Sequence, residues 1–327
     1  MIPKKTKIVK KEVAKTSLHP RNKHTGRYDF KRLISGLPEL ASFVSVNEYG
    51  SETIDFFNPL AVKMLNKALL KQFYDIDHWD IPSGYLCPPV PGRADYVHHV
   101  ADLLRNHNFG QIPMGKGVHI LDVGTGANGI YSIISNREFG WSCVGTDVDD
   151  TALDSVRAIY KANESLKENI IIRKQADSKN TFRGVINLGE KYDVTICNPP
   201  FHSSLEESQK GSMRKLRNLK GKKVTKLVKN FEGMSNELWC EGGELRFIQD
   251  MISQSKEFAT QVYWFTSLVS KHSHLRAIHK LLREAKAVKV QTIEMGQGNK
   301  SSRIIAWTFL DKRAQQEWRG ERWGSFE

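Results

Sequence analysis

Between Val118 and Cys197 short apolar runs alternate with helically spaced segments, and few folds accommodate that order. Val118–Asp122 reads as a strand running into a glycine turn, with a helix over Asn128–Arg137. Ser142–Asp147 and Thr151–Asn163 predict a second strand and helix, and Asn169–Gln175 and Tyr192–Cys197 two further strands. Such alternation predicts a parallel sheet covered by helices on both faces. Farther along, Gly243–Phe258 and His272–Glu284 read as helices around a strand at Gln261–Thr266. Val288–Glu294 and Arg303–Leu310 predict a terminal antiparallel pair.

The turn itself reads Asp122-Val-Gly-Thr-Gly-Ala-Asn-Gly129. Gly124 and Gly126 let the backbone bend sharply and approach a ligand, while helix N-terminal amides face whatever binds. Gly124, Gly126 and Gly129 also satisfy the glycine spacing of dinucleotide folds, so the turn alone selects no cofactor. Asp147 ends the second strand, where an acid can accept from both hydroxyls of a ribose. Asp122 separates the options, because a carboxylate there repels a pyrophosphate yet suits the ammonium of a bound amino acid. The reading therefore favours S-adenosylmethionine, held around Asp122, Gly124, Thr125, Gly126, Asn128 and Asp147. Asp177, after the third strand, suits the cofactor's adenine amine or, equally, a turn cap.

Asp193-Val-Thr-Ile-Cys-Asn-Pro-Pro-Phe201 carries the chemistry. An exocyclic adenine amine is a poor nucleophile because its lone pair is delocalised into the ring. The Asn198 side-chain oxygen and the Pro199 carbonyl can accept its two hydrogens, favouring tetrahedral nitrogen and aiming the lone pair at a methyl donor. Pro199 and Pro200 stiffen the tip at little entropic cost, and Phe201 offers a ring for base stacking. Guanine-N2 and protein glutamine-N5 methyltransferases meet the same planar-nitrogen problem with similar residues, so the motif leaves the acceptor open. A SAM-fold protein that only binds RNA, as an assembly factor, is a third possibility.

Charge points to a polyanionic partner. Residues 1–32 carry a net +9 and residues 210–229 another +9, while the rest of the chain is mildly acidic at −5. Two basic runs, one directly after the candidate tip, favour nucleic acid through counterion release. Arg214, Lys215, Arg217, Lys220, Lys222 and Lys223, in a basic loop at 203–235, are the candidate RNA contacts. No apolar run approaches the ~20 residues that span a bilayer, and the start Met-Ile-Pro-Lys-Lys lacks a signal-peptide core. Cys87, Cys143, Cys197 and Cys240 show no metal or disulfide spacing. A cytoplasmic monomer with neither metal nor membrane partner is expected.

Residues 1–20 read as a basic, disordered extension. Residues 21–86 form a helical accessory segment, with two or three helices between Tyr28 and Phe73, and residues 87–327 the catalytic domain. Cys87–Arg93 is predicted to be a stiff extended connector ahead of a helix from Ala94.

The chain closely resembles the bacterial large-subunit ribosomal RNA adenine-N6 methyltransferase F family, whose catalytic domain is similar to that of a eukaryotic U6 snRNA adenine methyltransferase. The likeness rests on His19-Pro-Arg-Asn, Val90-Pro-Gly-Arg93 with Tyr96, Ile120–Gly126, Asp147-Val-Asp-Asp, Asn198–Phe201, Glu241-Gly-Gly-Glu-Leu-Arg-Phe247 and Ala306-Trp-Thr-Phe309. It implies an α/β class I SAM-dependent methyltransferase: a Rossmann-like seven-stranded sheet with a terminal antiparallel hairpin, plus the N-terminal segment. It also implies SAM as cofactor and one adenine of 23S rRNA as target (adenine 1618 in the family), free or in a large-subunit assembly particle. By the same likeness Gly124 and Asp147 bind SAM, Arg93 holds its methionine carboxylate, and Asn198 and Phe201 hold the adenine.

Other residues read as structural. His98, His99, His272 and His274 lack metal spacing. Glu241 and Glu244 read as helix-start acids, and Trp79, Trp239, Trp264 and Trp307 as core.

Overall fold

The computed structural model describes residues 18–203, 239–297 and 300–323. The predicted alternation folds as a sheet of seven described strands: β3 (His119–Val123), β4 (Ser142–Asp147), β5 (Ile170–Lys174), β6 (Tyr192–Cys197), β7 (Val262–Val269), β8 (Lys289–Gln297) and β9 (Lys300–Thr308). Their order is β5-β4-β3-β6-β7-β9-β8. Pairing is parallel from β5 to β7, and β9 runs antiparallel to both β7 and β8. This is the class I methyltransferase arrangement. The central strands β6 and β7 are buried along their whole length, as expected where helices cover both faces. Neighbouring residues point to opposite sides, Ile120 and Ile304 into one core and Leu121 and Ile305 into the other.

Helix α3 (Val90–Arg105) and helix α4 (Ile130–Phe139) lie against the first core. The second receives α7 (Gly243–Ser255) and α8 (Leu275–Glu284) through Ile248, Met251, Ile278 and Leu282. Helix α5 (Asp150–Ala162) starts at Asp149, whose side chain accepts from Thr151 N and Ala152 N, and a short α6 (Glu164–Lys167) precedes β5. Among the described residues no helix is long and apolar enough to cross a membrane.

The N-terminal segment departs from the helix-only expectation. It holds α1 (Phe30–Gly36), a 3-10 turn (Pro38–Phe43), an antiparallel pair of β1 (Val44–Val46) and β2 (Glu52–Ile54), and α2 (Pro59–Tyr74). Phe30, Leu40 and Leu69 share the first core with Val100 and Ile133, so the segment is built onto the sheet rather than beside it. Nor is Val90–Arg93 an extended connector: α3 begins at Val90, with Pro91 in the first turn, where its missing N–H costs no hydrogen bond. Residues 18–20 are ordered too. His19 N donates to Asp95 Oδ1 at 2.6 Å, and its Nε2 pairs with Asp102 Oδ2 at 2.8 Å. The chain closes on α9 (Lys312–Arg322), an element the sequence reading did not contain.

Candidate active site

The strand order places the site. From β3 the chain winds outward through β4 and β5, then crosses back to lay β6 on the other side of β3. Ligands of such sheets bind where the winding reverses, at the carboxyl ends of the strands. Val123 and Cys197 are partners in register, so the glycine turn and the Asn198 tip leave the sheet side by side. A cleft of about 1170 Å³ opens there, and Gly124, Asp147, Arg93, Tyr131 and Asn198 all line it.

On the cofactor side, Gly124 has φ +71° and a Cβ added there meets nothing within 4 Å, so the turn presents bare backbone to open space. Gly129 at φ +59° is glycine for packing, since a Cβ would come 2.5 Å from Tyr160 Oη. Thr125, Gly126 and Asn128 also line the cleft. Asp147 Oδ2 accepts from Gly126 N at 2.9 Å, and Oδ1 from Val148 N at 2.8 Å and Asp149 N at 3.1 Å. Burial pushes its carboxyl up, against the pull of these amides. Arg93, in the first turn of α3, is 9% exposed and has no carboxylate partner among the described residues. Its Nη1 donates to Tyr131 Oη at 2.8 Å, and burial holds that phenol at about 12, so it stays neutral.

Two of the expected cofactor contacts, Asp122 and Asp177, lie off the cleft wall. Asp122 is wholly buried beneath the turn, and its Oδ1 has no hydrogen-bond partner among the described residues. Its Oδ2 instead accepts from Thr125 Oγ1 at 2.9 Å and Ser132 Oγ at 3.1 Å, tying the turn to α4. Burial raises its carboxyl to about 6. Asp177 is exposed and closes a local turn, accepting from Lys179 N and Asn180 Nδ2 at 2.9 Å each. The capping alternative accounts for it.

On the acceptor side, Asn198 and Pro200 line the cleft, whereas Pro199 is buried and Phe201 half-buried, both off its wall. The chain turns straight from the prolines into a bridge between His202 and Trp239, with Cys240 N donating to His202 O at 3.1 Å. The Asn198 side-chain oxygen is buried and has no hydrogen-bond partner among the described residues. An unpaired buried amide oxygen costs roughly 1–3 kcal/mol. Arg214, Lys215, Arg217, Lys220, Lys222 and Lys223 lie outside the described residues.

Several contributors escaped the sequence reading. Trp79 Nε1 donates to Asn128 O at 3.0 Å, and Tyr85 Oη to Asp149 Oδ2 at 2.8 Å, so the N-terminal segment braces both cofactor loops. Trp239, expected in the core, and Arg246 line the far wall. The paired glycines of Glu241-Gly-Gly-Glu244 were the available signal. Gly243, at φ +64°, packs so near Ser203 N that a Cβ would sit 3.1 Å away. Glu244 is a clamp more than a helix-dipole acid, accepting from Ser270 N at 2.6 Å and pairing with His274 Nδ1 at 2.7 Å. Among the described residues no His, Cys, Asp and Glu group is arranged to hold a metal.

A buried guanidinium without a carboxylate, a bare glycine turn and a strand-end aspartate together fit the carboxylate, body and ribose of S-adenosylmethionine. Fold and site thus define a class I SAM-dependent methyltransferase. Residues 12–311 match the family described as RNA methyltransferase. The chain is 53% identical over 311 residues to ribosomal RNA large subunit methyltransferase F of Cytophaga hutchinsonii, covering 95% of this chain and 97% of that one. The human METTL16 catalytic domain in complex with the MAT2A 3′UTR hairpin 1 superposes with a TM-score of 0.76 at 28% identity, over 90% of this chain and 96% of that one. The N-terminal domain of human METTL16 in complex with SAH gives 0.71 at 27%, over 90% and 100%. The chain belongs to this family of RNA methyltransferases and uses S-adenosylmethionine.

Proposed function

We propose that the chain methylates the N6 amine of one adenine in 23S rRNA, the position being the family's adenine 1618. The observation that carries this reading is the unpaired, buried Asn198 oxygen on the cleft wall beside the cofactor turn. The relative's name, ribosomal RNA large subunit methyltransferase F, supports the RNA.

When bound, S-adenosylmethionine supplies an electrophilic methyl on its sulfonium. Asn198 Oδ1 accepts one N6 hydrogen and the Pro199 carbonyl the other, which localises the nitrogen lone pair toward the methyl. The two prolines hold that geometry before the base arrives. The alkylated amine is acidic enough to lose its proton to water, so no side chain is needed as a strong base. Such chemistry requires the adenine to leave its stack and enter the cleft. Arg93 holds the cofactor's carboxylate, Asp147 its ribose, and the basic residues at 210–229 grip the RNA backbone.

Mass spectrometry of rRNA nucleosides from a deletion strain tests the acceptor. Loss of one N6-methyladenosine from 23S rRNA is expected. Unchanged N6-methyladenosine with a methyl missing from a guanine or a glutamine would reject adenine. Neutralising Arg214, Lys215, Arg217, Lys222 and Lys223 should flatten the dependence of RNA affinity on salt, by about 0.7 for each phosphate of single-stranded RNA that is no longer neutralised. An unchanged slope would remove the basic run from the interface.

A further inference from the structure

The helix that supplies Arg93 also reaches the acceptor side. Tyr96 lies three residues along α3 from Arg93, so the two side chains leave the same face. Its fully buried ring meets Tyr131 edge-on at 5.4 Å, and Tyr131 receives the Arg93 hydrogen bond. The Tyr96 hydroxyl is 2.8 Å from Thr266 Oγ1 and 3.4 Å from both the nitrogen and the carbonyl oxygen of Cys197, the residue before Asn198.

The direction of this chain can be assigned. Thr266 Oγ1 donates to the Thr195 carbonyl at 2.5 Å, which uses its only hydrogen. Tyr96 therefore donates to Thr266, and its oxygen is left to accept from Cys197 N. Among the described pairs the register of β6 with β7 ends at Val194–Trp264. Beyond that point, hydroxyls take over the link between the strands, where β6 runs out toward its tip. Burial pushes the Tyr96 phenol well up, so the hydrogen it donates is always present.

We infer that Tyr96 is a positioning residue, which holds the Asn198 tip at a set distance from the cofactor grip of Arg93. One helical turn then gauges the gap between methyl donor and acceptor amine. The inference rests on the role of Asn198 given above. A misplacement of about 1 Å in such a gap costs on the order of a hundredfold in rate, and neither Arg93 nor Asp147 needs the hydroxyl to bind cofactor.

Tyr96→Phe keeps the ring and its edge contact while deleting the hydroxyl; Thr266→Val breaks the same chain from the other end. For each variant, single-turnover methyl transfer to 23S rRNA, cofactor affinity by calorimetry and thermal unfolding are measured on the full chain. The expected result is a rate reduced about tenfold or more with cofactor Kd within about twofold. The double variant should be no slower than the slower single one, because both act through one chain. Wild-type rate in Tyr96→Phe, a rate loss matched by weaker cofactor affinity, or fully multiplicative effects would overturn the inference. Thr266→Val decides alone if Tyr96→Phe does not fold. The wild-type product separates the two readings: a methylated adenine with an unaffected Tyr96→Phe rejects the gauge only, whereas no methylated adenine rejects the role of Asn198.

Discussion

Strand β6 begins and ends on opposite electrostatic terms. At its base, the fully buried Asp193 carboxylate accepts from His119 N, Trp318 Nε1, Trp323 Nε1 and both Nε and Nη2 of Arg322, at 2.7–3.0 Å. At its tip, five residues on, the buried Asn198 oxygen has no partner among the described residues. Saturation at one end fastens the C-terminal helix α9 beneath the sheet. The unpaired oxygen at the other costs stability, on a residue that lines the cleft. The same division holds for charge: Arg322 is spent on Asp193, while Arg93, itself buried, meets no carboxylate among the described residues.

Three variants would break or sharpen that contrast. Asp193→Ala leaves Arg322 and two indoles without their acceptor and should destabilise the fold by about 3–5 kcal/mol. Denaturant unfolding reads it, and transfer rate per folded molecule should be unchanged; a loss under about 1 kcal/mol would mean the base of β6 is not saturated in solution. Asn198→Ala should do the reverse. Methyl transfer is expected to fall by about 10²–10³ or more, with cofactor affinity within a few fold and stability equal or slightly higher. Loss of cofactor binding from an intact fold would contradict the division between donor and acceptor sides.

The smallest effect concerns Asp122. Its carboxyl titrates at about 6 in the fold against 3.8 in an unconstrained chain, so the folded state holds the proton more tightly. Its contribution is therefore full below pH 3.8 and is lost as pH rises toward about 6. Wild type should lose stability relative to Asp122→Asn across that window and run parallel above it. Denaturant melts at several pH values check this, and a flat difference would show that the turn's underside admits water.

Much of this contrast was readable along the chain, but unevenly. Tyr192–Cys197 occupies its predicted position as a strand buried on both faces, and Ser142–Asp147 does so although only Cys143, Gly145 and Thr146 of it are buried. Val44–Val46 and Glu52–Ile54 were absorbed into a helical reading, since three-residue strands are too short to show a period of two. Helix α9 was missed for another reason. Its Lys312–Arg322 sequence is so polar that only Gln315 and Trp318 are buried, leaving little apolar stripe to detect.

The turn at Gly124, the carboxylate at Asp147 and the tip at Asn198 were set by the sequence alone, because backbone stereochemistry and strand periodicity belong to short segments. Which polar groups face the cleft was a matter for the tertiary structure. Asp122, Asp147 and Asp177 look alike in the chain, yet only Asp147 lines the opening. The partners that make the difference are remote: Tyr96 reaches Cys197 across 101 positions, and Trp323 reaches Asp193 across 130. Burial and hydrogen bonding depend on what folding brings alongside, and no local pattern encodes a neighbour that far away.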